Sequence, residues 1–247
     1  MLPSPSALLL DFGGVIVESG RSTQPTRDLV VRVHRLVGGA LTEDEIVASL
    51  QRADDLRDER RAASTEFLEL SHEQLWGELI AEQWPAMARA AVLVHAGDLT
   101  RQWARRPDWR LRPGMADLLD FTIGRGMPVA VVSNTRSGQA HRDMLDELGV
   151  TGAFAAQIYS DELGVFKPHP SMIWAAAREL GVQAAQCWFV GDQVGKDIVC
   201  ARRAGTAAAI LMPYGTKPRQ GDGTPETTPD AVVADGTELL DLLRKSL

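Results

Sequence analysis

The sequence predicts an α/β protein, with a doubly wound parallel sheet and an inserted helical cap domain. From about residue 127 to the last residue, short apolar runs alternate with helical patterns. This alternation is typical of repeated βα units, which form a parallel sheet between layers of helices. A further apolar run at residues 7–10 ends in a carboxylate and is expected in the same sheet. The long stretch between this run and the next strand has almost entirely helical patterning.

The predicted elements follow one another in βα order. The strands are expected at residues 7–10, 129–133, 156–159, 187–190, 207–212 and 231–234, and the helices at residues 137–149, 170–181, 194–205 and 237–245. Ser137 is a favourable N-cap, and Gly149 and Gly181 are typical of the position just after a helix.

The helical stretch after the first strand is interpreted as a cap. Residues 42–45 and 71–74 match capping boxes, and each precedes apolar residues at helical spacing. Arg112-Pro113-Gly114 marks the return to the α/β part. We therefore assign residues 1–17 and 113–247 to the core domain and residues 18–112 to the cap domain.

Composition and charge restrict the class of protein. The chain has 247 residues, 45% of them hydrophobic and 24% charged, with a net charge of −7. This charge argues against a nonspecific nucleic-acid or anionic-membrane surface, so neither is expected as a partner. Cys187 and Cys200 are too few for a disulfide framework and suit a reducing compartment. The apolar run at residues 7–10 is too short for a signal peptide or a membrane span, so we expect a cytoplasmic protein.

Four short segments carry the polar residues that can form one site. They are Asp11-Phe12-Gly13-Gly14-Val15, Ser133-Asn134, Lys167-Pro168, and Gly191-Asp192 followed by Asp197. Three of these segments follow predicted strands, and the carboxyl ends of parallel strands meet in one crevice. We therefore expect these side chains to lie together at one edge of the sheet.

The residue types suit phosphate chemistry with Mg²⁺. Asp11 and Asp192 can share the hard cation, and this requires their carboxyl groups to lie within about 8 Å of each other. Ser133 can donate to a phosphate oxygen, while Lys167 can neutralise both Asp11 and a phosphoryl group. Asp197 can orient Lys167 or bind a metal-bound water. The glycines after Asp11 allow close approach of the backbone to an anion.

The order and spacing of these motifs resemble the haloacid dehalogenase superfamily, over residues 7–17 and 113–212. The resemblance implies that Asp11 is a nucleophile forming an aspartyl-phosphate, which water then hydrolyses. It implies that Asp192 binds Mg²⁺ together with Asp11 and the carbonyl of Gly13. The expected phosphate-binding residues are Gly14, Ser133, Asn134 and Lys167. A Mg²⁺-dependent phosphatase of small phosphorylated metabolites, with a helical first-position cap, follows from the resemblance.

Gly13 departs from the family pattern. Most phosphatases of the family have a second Asp at this place, which protonates the leaving group and later activates water. Glycine has no side chain that could transfer a proton. General acid–base catalysis typically raises the reaction rate ~10²–10⁴-fold. Slow turnover or an easy leaving group is therefore expected.

The same motifs allow alternative functions. Metal-independent 2-haloacid dehalogenases use the same nucleophile, but those of the family lack the Gly-Asp of residues 191–192 and carry an aromatic residue at the place of Gly13. Phosphonoacetaldehyde hydrolases need a cap lysine, and residues 18–112 contain none. A sugar phosphate mutase would need the missing acid/base. A fold kept as a low-activity binding module stays open, since fold does not imply function.

Other residues are weaker candidates. The five histidines show no metal-ligand spacing, and the tryptophans are expected in the core. Within the cap, Glu18 and Arg21 are the best candidates for pocket contacts, because they directly follow the hinge after the first strand.

Overall fold

The core of the molecule is a six-stranded parallel sheet, seen in a computed structural model that describes residues 2–18, 26–215 and 223–247. The strands, in chain order, are β1 (Ala7–Leu10), β2 (Val17–Glu18), β3 (Arg110–Leu111), β4 (Val129–Ser133), β5 (Ala156–Tyr159), β6 (Cys187–Gly191), β7 (Ala208–Leu211) and β8 (Ala231–Val232). The sheet order is β5-β4-β1-β6-β7-β8, and β2 and β3 form a separate antiparallel pair. The predicted fold class is confirmed.

Strand β1 lies in the centre of this sheet. It is paired with β4 and β6, so that Leu10 lies opposite Val131 on one side and Val190 on the other. All four of its residues are fully buried, as expected for a strand covered on both faces. The amide of Asp11 donates to the Val190 carbonyl at 2.9 Å. This places Asp11 beside the end of β6, as predicted.

Helices cover both faces of the sheet and form the cap. They are α1 (Arg27–Leu36), α2 (Glu43–Ala63), α3 (His72–Gln74), α4 (Ala86–Leu93), α5 (Ala96–Ala104), α6 (Met115–Arg125), α7 (Gly138–Glu147), α8 (Ser160–Leu163), α9 (Ser171–Glu179), α10 (Val199–Ala204) and α11 (Gly236–Ser246). Apolar residues of α6, α7 and α11 pack on one face of the sheet, and those of α9 and α10 pack on the other.

The cap consists of α1–α5 and a π-helical segment, Leu75–Ile80, and it has its own hydrophobic core. Trp76 and Trp103 are buried there among the helices. Both predicted capping boxes are present, from Thr42 to Glu45 and from Ser71 to Gln74. The chain leaves and re-enters the α/β part through β2 and β3, two-residue strands that are too short for a periodicity signal. The domain boundaries at 17/18 and 112/113 stay a prediction.

Polar contacts and one backbone bridge connect the cap to the core. Leu68 and Val165 form an antiparallel bridge. The cross-connecting side-chain contacts are Arg57 with the Thr135 carbonyl, Arg136 with Asp54, Arg101 with Asp143, Arg105 with Glu147, and His72 with the Arg136 carbonyl. These contacts set the cap directly above the carboxyl ends of the central strands.

Several elements differ from the sequence prediction. Helix α8 was not predicted, and β8 ends two residues earlier than expected. Residues 194–205 were expected to form one helix, but Val194–Ile198 is π-helical and only Val199–Ala204 is α-helical. Helix α6 was not predicted as a separate element. Among the described residues, no helix is both long and apolar enough to cross a membrane.

Candidate active site

Three buried carboxylates meet at the carboxyl ends of β1 and β6. Asp11 follows β1, Asp192 follows β6, and Asp197 lies in the π-helical segment after it. Each can contribute an oxygen so that all three atoms lie within 4.8 Å of one another. The expected proximity of the Asp11 and Asp192 carboxyl groups is therefore confirmed.

Lys167 is buried between two of these carboxylates. Its Nζ lies 2.8 Å from Asp11 Oδ1 and 2.7 Å from Asp197 Oδ1, and it donates to the Val132 carbonyl at 2.9 Å. Burial by itself lowers the pKa of Lys167, but the two carboxylates outweigh it and hold this pKa above its ordinary value. Lys167 is therefore a fixed positive charge beside Asp11.

Asp197 also fixes the backbone of the Asp192 loop. Its Oδ2 accepts hydrogen bonds from the amides of Asp192 (3.0 Å) and Gln193 (2.9 Å). The π-helical turn brings the Asp197 side chain back toward β6, where it packs against Gly191. A Cβ on Gly191 would collide with the Asp197 side chain. Asp197 thus orients Lys167, one of the two arrangements expected from the sequence.

The two glycines after Asp11 have different surroundings. Gly14 has φ +85°, and a Cβ there would collide with Asp192 Oδ2. Its amide donates to the Val17 carbonyl at 2.7 Å, and its carbonyl accepts from Arg112. Both backbone groups of Gly14 thus form hydrogen bonds within the protein, and the phosphate contact predicted for it stays a prediction. Gly13 borders the cavity described below, and nothing lies within 4 Å of a Cβ built on it.

The Ser133-Asn134 segment ends β4 beside the carboxylates. Ser133 is buried at the end of the strand and lines the cavity. The Asn134 side chain donates to the Lys167 carbonyl at 3.0 Å and accepts from the Lys167 amide at 2.7 Å. The amide group of Asn134 therefore holds the Lys167 backbone in place, and the phosphate contact predicted for it stays a prediction.

The charges of this cluster fit a divalent cation. Three buried carboxylates, of Asp11, Asp192 and Asp197, face one buried ammonium group of Lys167. Burial raises the pKa of the Asp11 carboxyl above its ordinary value despite the opposing effect of Lys167, and Asp197 adds to the rise. Surplus buried negative charge is costly unless it is compensated. Carboxylate oxygens are the ligands that Mg²⁺ prefers, so the donor set fits this ion.

A cavity of about 220 Å³ lies over Asp11. Residues of the α/β part form its floor, and Arg61 of α2 and Trp109 border it from the cap side. Glu18 is not among its lining residues and forms an ion pair with Arg110 at 2.8 Å. Arg21 lies outside the described residues.

His141 borders the same cavity and was not predicted as a site residue. Its ring is stacked on Phe12, with 3.9 Å between the ring centroids, and its Nε2 lies 3.2 Å from Thr135 Oγ1. Burial lowers the pKa of His141 to about 3, so that the ring is neutral at ordinary pH. His141 lies on the buried face of α7. Its distance along the chain from the four motif segments gave no indication that it would border this cavity.

The fold and the site together define an α/β protein with a buried carboxylate–lysine centre at the carboxyl ends of its parallel strands. The haloacid dehalogenase-like hydrolase family model matches residues 5–205, and the chain belongs to this family. The resemblance stated from the motifs is confirmed.

Phosphatases are found among its relatives. The glyceraldehyde 3-phosphate phosphatase of Methanopyrus kandleri is 30% identical over 168 residues, 67% of this chain and 67% of that protein. The phosphoserine phosphatase of Thermus thermophilus is 30% identical over 167 residues, 68% of this chain and 63% of that protein. The phosphoglycolate phosphatase of Yersinia pestis is 30% identical over 131 residues, 53% of this chain and 54% of that protein. The chain thus spans between about half and two thirds of the length of these relatives.

Solved structures share the fold along the whole chain. The 2-haloacid dehalogenase from Pseudomonas syringae pv. Tomato DC3000 has a TM-score of 0.63 at 16% identity and covers 100% of both chains. CbbY from Rhodobacter sphaeroides, in complex with phosphate, has a TM-score of 0.59 at 19% identity and covers 95% of this chain and 96% of that chain. At such identities the likeness establishes the fold alone.

Proposed function

We propose that this chain is a Mg²⁺-dependent phosphatase of small phosphomonoesters that works through an aspartyl-phosphate on Asp11. The observation that carries the proposal is the buried arrangement in which Lys167 bridges Asp11 and Asp197, with Asp192 beside them. Phosphatases among the relatives support the same class of substrate. The reaction belongs to the general type in which a carboxylate nucleophile divides one hydrolysis into two easier steps.

In the first step, an Asp11 carboxylate oxygen attacks phosphorus and the bond to the leaving oxygen breaks. Lys167 holds Oδ1 of Asp11, so Oδ2 is the attacking atom in our proposal. Lys167 also offsets the repulsion between the Asp11 carboxylate and the phosphoryl group. Ser133 donates its hydroxyl to a phosphoryl oxygen from the end of β4.

In the second step, water attacks phosphorus and the bond between phosphorus and the Asp11 oxygen breaks, which restores the Asp11 carboxylate. The protons of the water leave with the inorganic phosphate, which then releases one of them to the solvent. Asp197 keeps Lys167 charged and in place through both steps, and Asn134 holds the Lys167 backbone. Gly13 supplies no proton, so in this proposal the departing alkoxide takes its proton from water.

Asp11 and Asp192, with the Gly13 carbonyl, would hold Mg²⁺. When bound, Mg²⁺ supplies positive charge that draws the phosphoryl oxygens toward Asp11 and stabilises the charge of the transition state. A metal-independent dehalogenase is the competing function. It has no use for Asp192, whose carboxylate would stand as surplus negative charge next to Asp11.

Hydrolysis of p-nitrophenyl phosphate, with and without Mg²⁺, tests the proposal. We expect Mg²⁺-dependent release of p-nitrophenol that falls to background in chelator and in Asp11→Asn. Asp120→Asn is the matched control, because Asp120 is exposed on α6 and its loss should leave the rate unchanged. Activity that survives chelator, or turnover of 2-chloropropionate in place of the phosphate ester, would favour the dehalogenase.

A further inference from the structure

A second, larger cavity adjoins the one over Asp11. Its volume is about 610 Å³, and it lies between α2 of the cap and the loops that follow β5 and β6. The two cavities share four lining residues, namely Arg61, Lys167, Gln193 and Lys196. A phosphate ester bound at Asp11 would therefore extend its organic part past Arg61 into this second cavity.

Arg61 reaches this position from the last turn of α2. Its Nη2 pairs with Glu69, its guanidinium carbon lies 4.9 Å from the centroid of the Phe166 ring, and its Nε is buried without a hydrogen-bond partner within the described residues. Stacking on Phe166 fixes the plane of the guanidinium group. Part of its donor capacity is thus unused by the protein.

The charges around Arg61 do not balance. Arg57, Arg61 and Arg136 cluster here, while the acidic groups that pair with them belong to Glu69 and Asp54. Glu69 is shared, because Arg57 Nη2 lies 3.2 Å from its Oε1 while Arg61 pairs with its Oε2. A third acidic residue, Asp58, also lines the second cavity, but its side chain is exposed to solvent. The buried part of the cluster therefore has three arginines for two carboxylates, and this excess of positive charge favours an incoming anion.

Two aromatic residues, Phe67 and Phe166, line the second cavity, and the backbone of Phe67 is strained. Phe67 has φ +56°, a left-handed conformation that non-glycine residues rarely adopt. Its amide donates to Ser64 Oγ at 2.9 Å, its carbonyl accepts from the Phe166 amide at 2.9 Å, and its ring packs edge-on against Phe166. Strain of this kind persists where the surroundings fix it, and it clusters at ligand sites.

We infer that Arg61 is a specificity-determining residue, which binds a second anionic group on the organic part of the phosphate ester. The substrate class is a small phosphomonoester whose alcohol carries a carboxylate or a second phosphate, since the guanidinium fork binds either group through paired hydrogen bonds. Lys196 also borders both cavities and adds positive charge to their lining. This inference rests on the proposed phosphatase function.

Two pairs of matched substrates test the inference about Arg61. In the first pair, 3-phosphoglycerate has a carboxylate where glycerol 3-phosphate has a neutral hydroxymethyl group. In the second pair, propane-1,3-diol bisphosphate has a second phosphate that propane-1,3-diol monophosphate lacks. We expect kcat/KM to be at least ~10-fold higher for one anionic member than for its neutral partner, since charge-assisted pairs are the strong ones. The pair with the larger ratio identifies which second group Arg61 recognises.

Arg61→Gln should reduce that ratio about 10-fold, chiefly through KM, and Arg61→Lys should restore part of it because the charge remains. Arg60→Gln is the matched control. It removes the same charge from the neighbouring position, where the side chain is exposed and pairs with Glu78, and the ratio should stay as in the wild type. Thermal unfolding of each variant verifies that it is folded.

Calorimetric binding of glycerate and glycerol to the wild-type protein gives a second readout that needs no variant. We expect glycerate to bind more tightly if the carboxylate pair shows the larger ratio. If Mg²⁺-dependent hydrolysis of p-nitrophenyl phosphate is present but neither anionic substrate is preferred, or if Arg61→Gln leaves the ratio unchanged, the inference fails while the phosphatase proposal stands. If no phosphate ester is hydrolysed, both fail.

Discussion

Gly13 and Gly14 are adjacent residues with opposite tolerance for a side chain. Gly14 has a positive φ and lies against Asp192 Oδ2, so only glycine fits there. Gly13 does not have a positive φ, and a Cβ built on it has open space around it. The absence of a side chain at Gly13 is therefore a chemical feature of the site and no requirement of the fold.

Gly13→Asp is accordingly expected to fold and to change the leaving-group dependence. In the wild-type protein, aryl and acyl phosphates should be hydrolysed faster than alkyl phosphates by a wide margin, because no side chain protonates the departing oxygen. An added carboxyl group at this position should narrow the margin by roughly 10²-fold, the lower range of general acid catalysis. The measurement is kcat/KM over esters of graded leaving-group pKa.

Gly14→Ala serves as the structural contrast. We expect it to lose both stability and activity, because its Cβ displaces the Asp192 carboxylate.

A wild-type rate that is independent of leaving-group pKa and shows no burst of product would contradict the Gly13 prediction, and it would indicate an acid supplied by the cap.

Elements rather than single residues decide how the cap is held over the site. Helix α2 contributes Arg57, which donates to the Thr135 carbonyl at 3.1 Å, and Asp54, which pairs with Arg136. Arg136 also stacks over Trp103 of α5. The short helix α3 brings His72 to the Arg136 carbonyl (2.9 Å) and to Asp161 (3.5 Å). The interface is thus polar and charged, and it includes the titratable side chain of His72.

His72 should make this interface dependent on pH. The hydrogen bond to Asp161 raises the pKa of His72 above its ordinary value, against the opposing effect of burial. Because the proton is bound more tightly in the folded state, the stabilisation is complete below about pH 6.5 and is lost as pH rises through the folded-state pKa. We expect roughly 0.5–1 kcal/mol for this half-buried group, measured as the unfolding free energy between pH 6 and 8.

His72→Gln should flatten this part of the pH profile. His34→Gln is the matched control from the same cap, since within the described residues the His34 side chain forms no hydrogen bond or ion pair. An unchanged slope in His72→Gln would show that other groups carry the pH dependence.

At the scale of the whole molecule, the net charge of −7 hides a local imbalance. The buried centre holds three carboxylates and one lysine, while the adjoining Arg57–Arg61–Arg136 cluster has surplus positive charge. The carboxylates of the α/β part and Arg61 of the cap thus contribute opposite charges to two adjoining cavities. A metal ion beside the carboxylates and an anionic substrate group beside Arg61 would complete the charge balance.

Mg²⁺ is therefore expected to stabilise the folded protein. A concentration 100-fold above Kd adds about 2.7 kcal/mol, which corresponds to a rise in Tm of roughly 5–10 °C for a chain of this size. Asp192→Asn should abolish this rise in Tm. Without metal, the Tm of the variant should equal or exceed that of the wild type, because the Asp192 carboxylate no longer repels the neighbouring carboxylates. Sodium chloride at equal ionic strength is the control, and a Mg²⁺ shift retained in Asp192→Asn would exclude Asp192 as a ligand.

Much of this molecule follows from local pattern. Strands β1, β4 and β6 lie where apolar runs of four or five residues predict them, and helices α2 and α3 begin at the capping boxes predicted for residues 42–45 and 71–74. Asp11, Ser133 and Asp192 lie together because each ends or follows a parallel strand. The π-helical turn at Val194–Ile198 was not predictable from the local pattern, and Asp197 within it pairs with Lys167, which is distant in the sequence.

The sequence by itself determined the fold class, the family resemblance and the set of polar residues at the strand ends, because these depend on periodicity and on the order of motifs along the chain. Only the tertiary structure decided the partners of those residues. It assigned Asn134 to the Lys167 backbone and Gly14 to close packing against Asp192. It also brought His141 and Arg61 to the cavity. These placements depend on contacts between residues far apart in sequence, where packing and buried charge leave no local pattern.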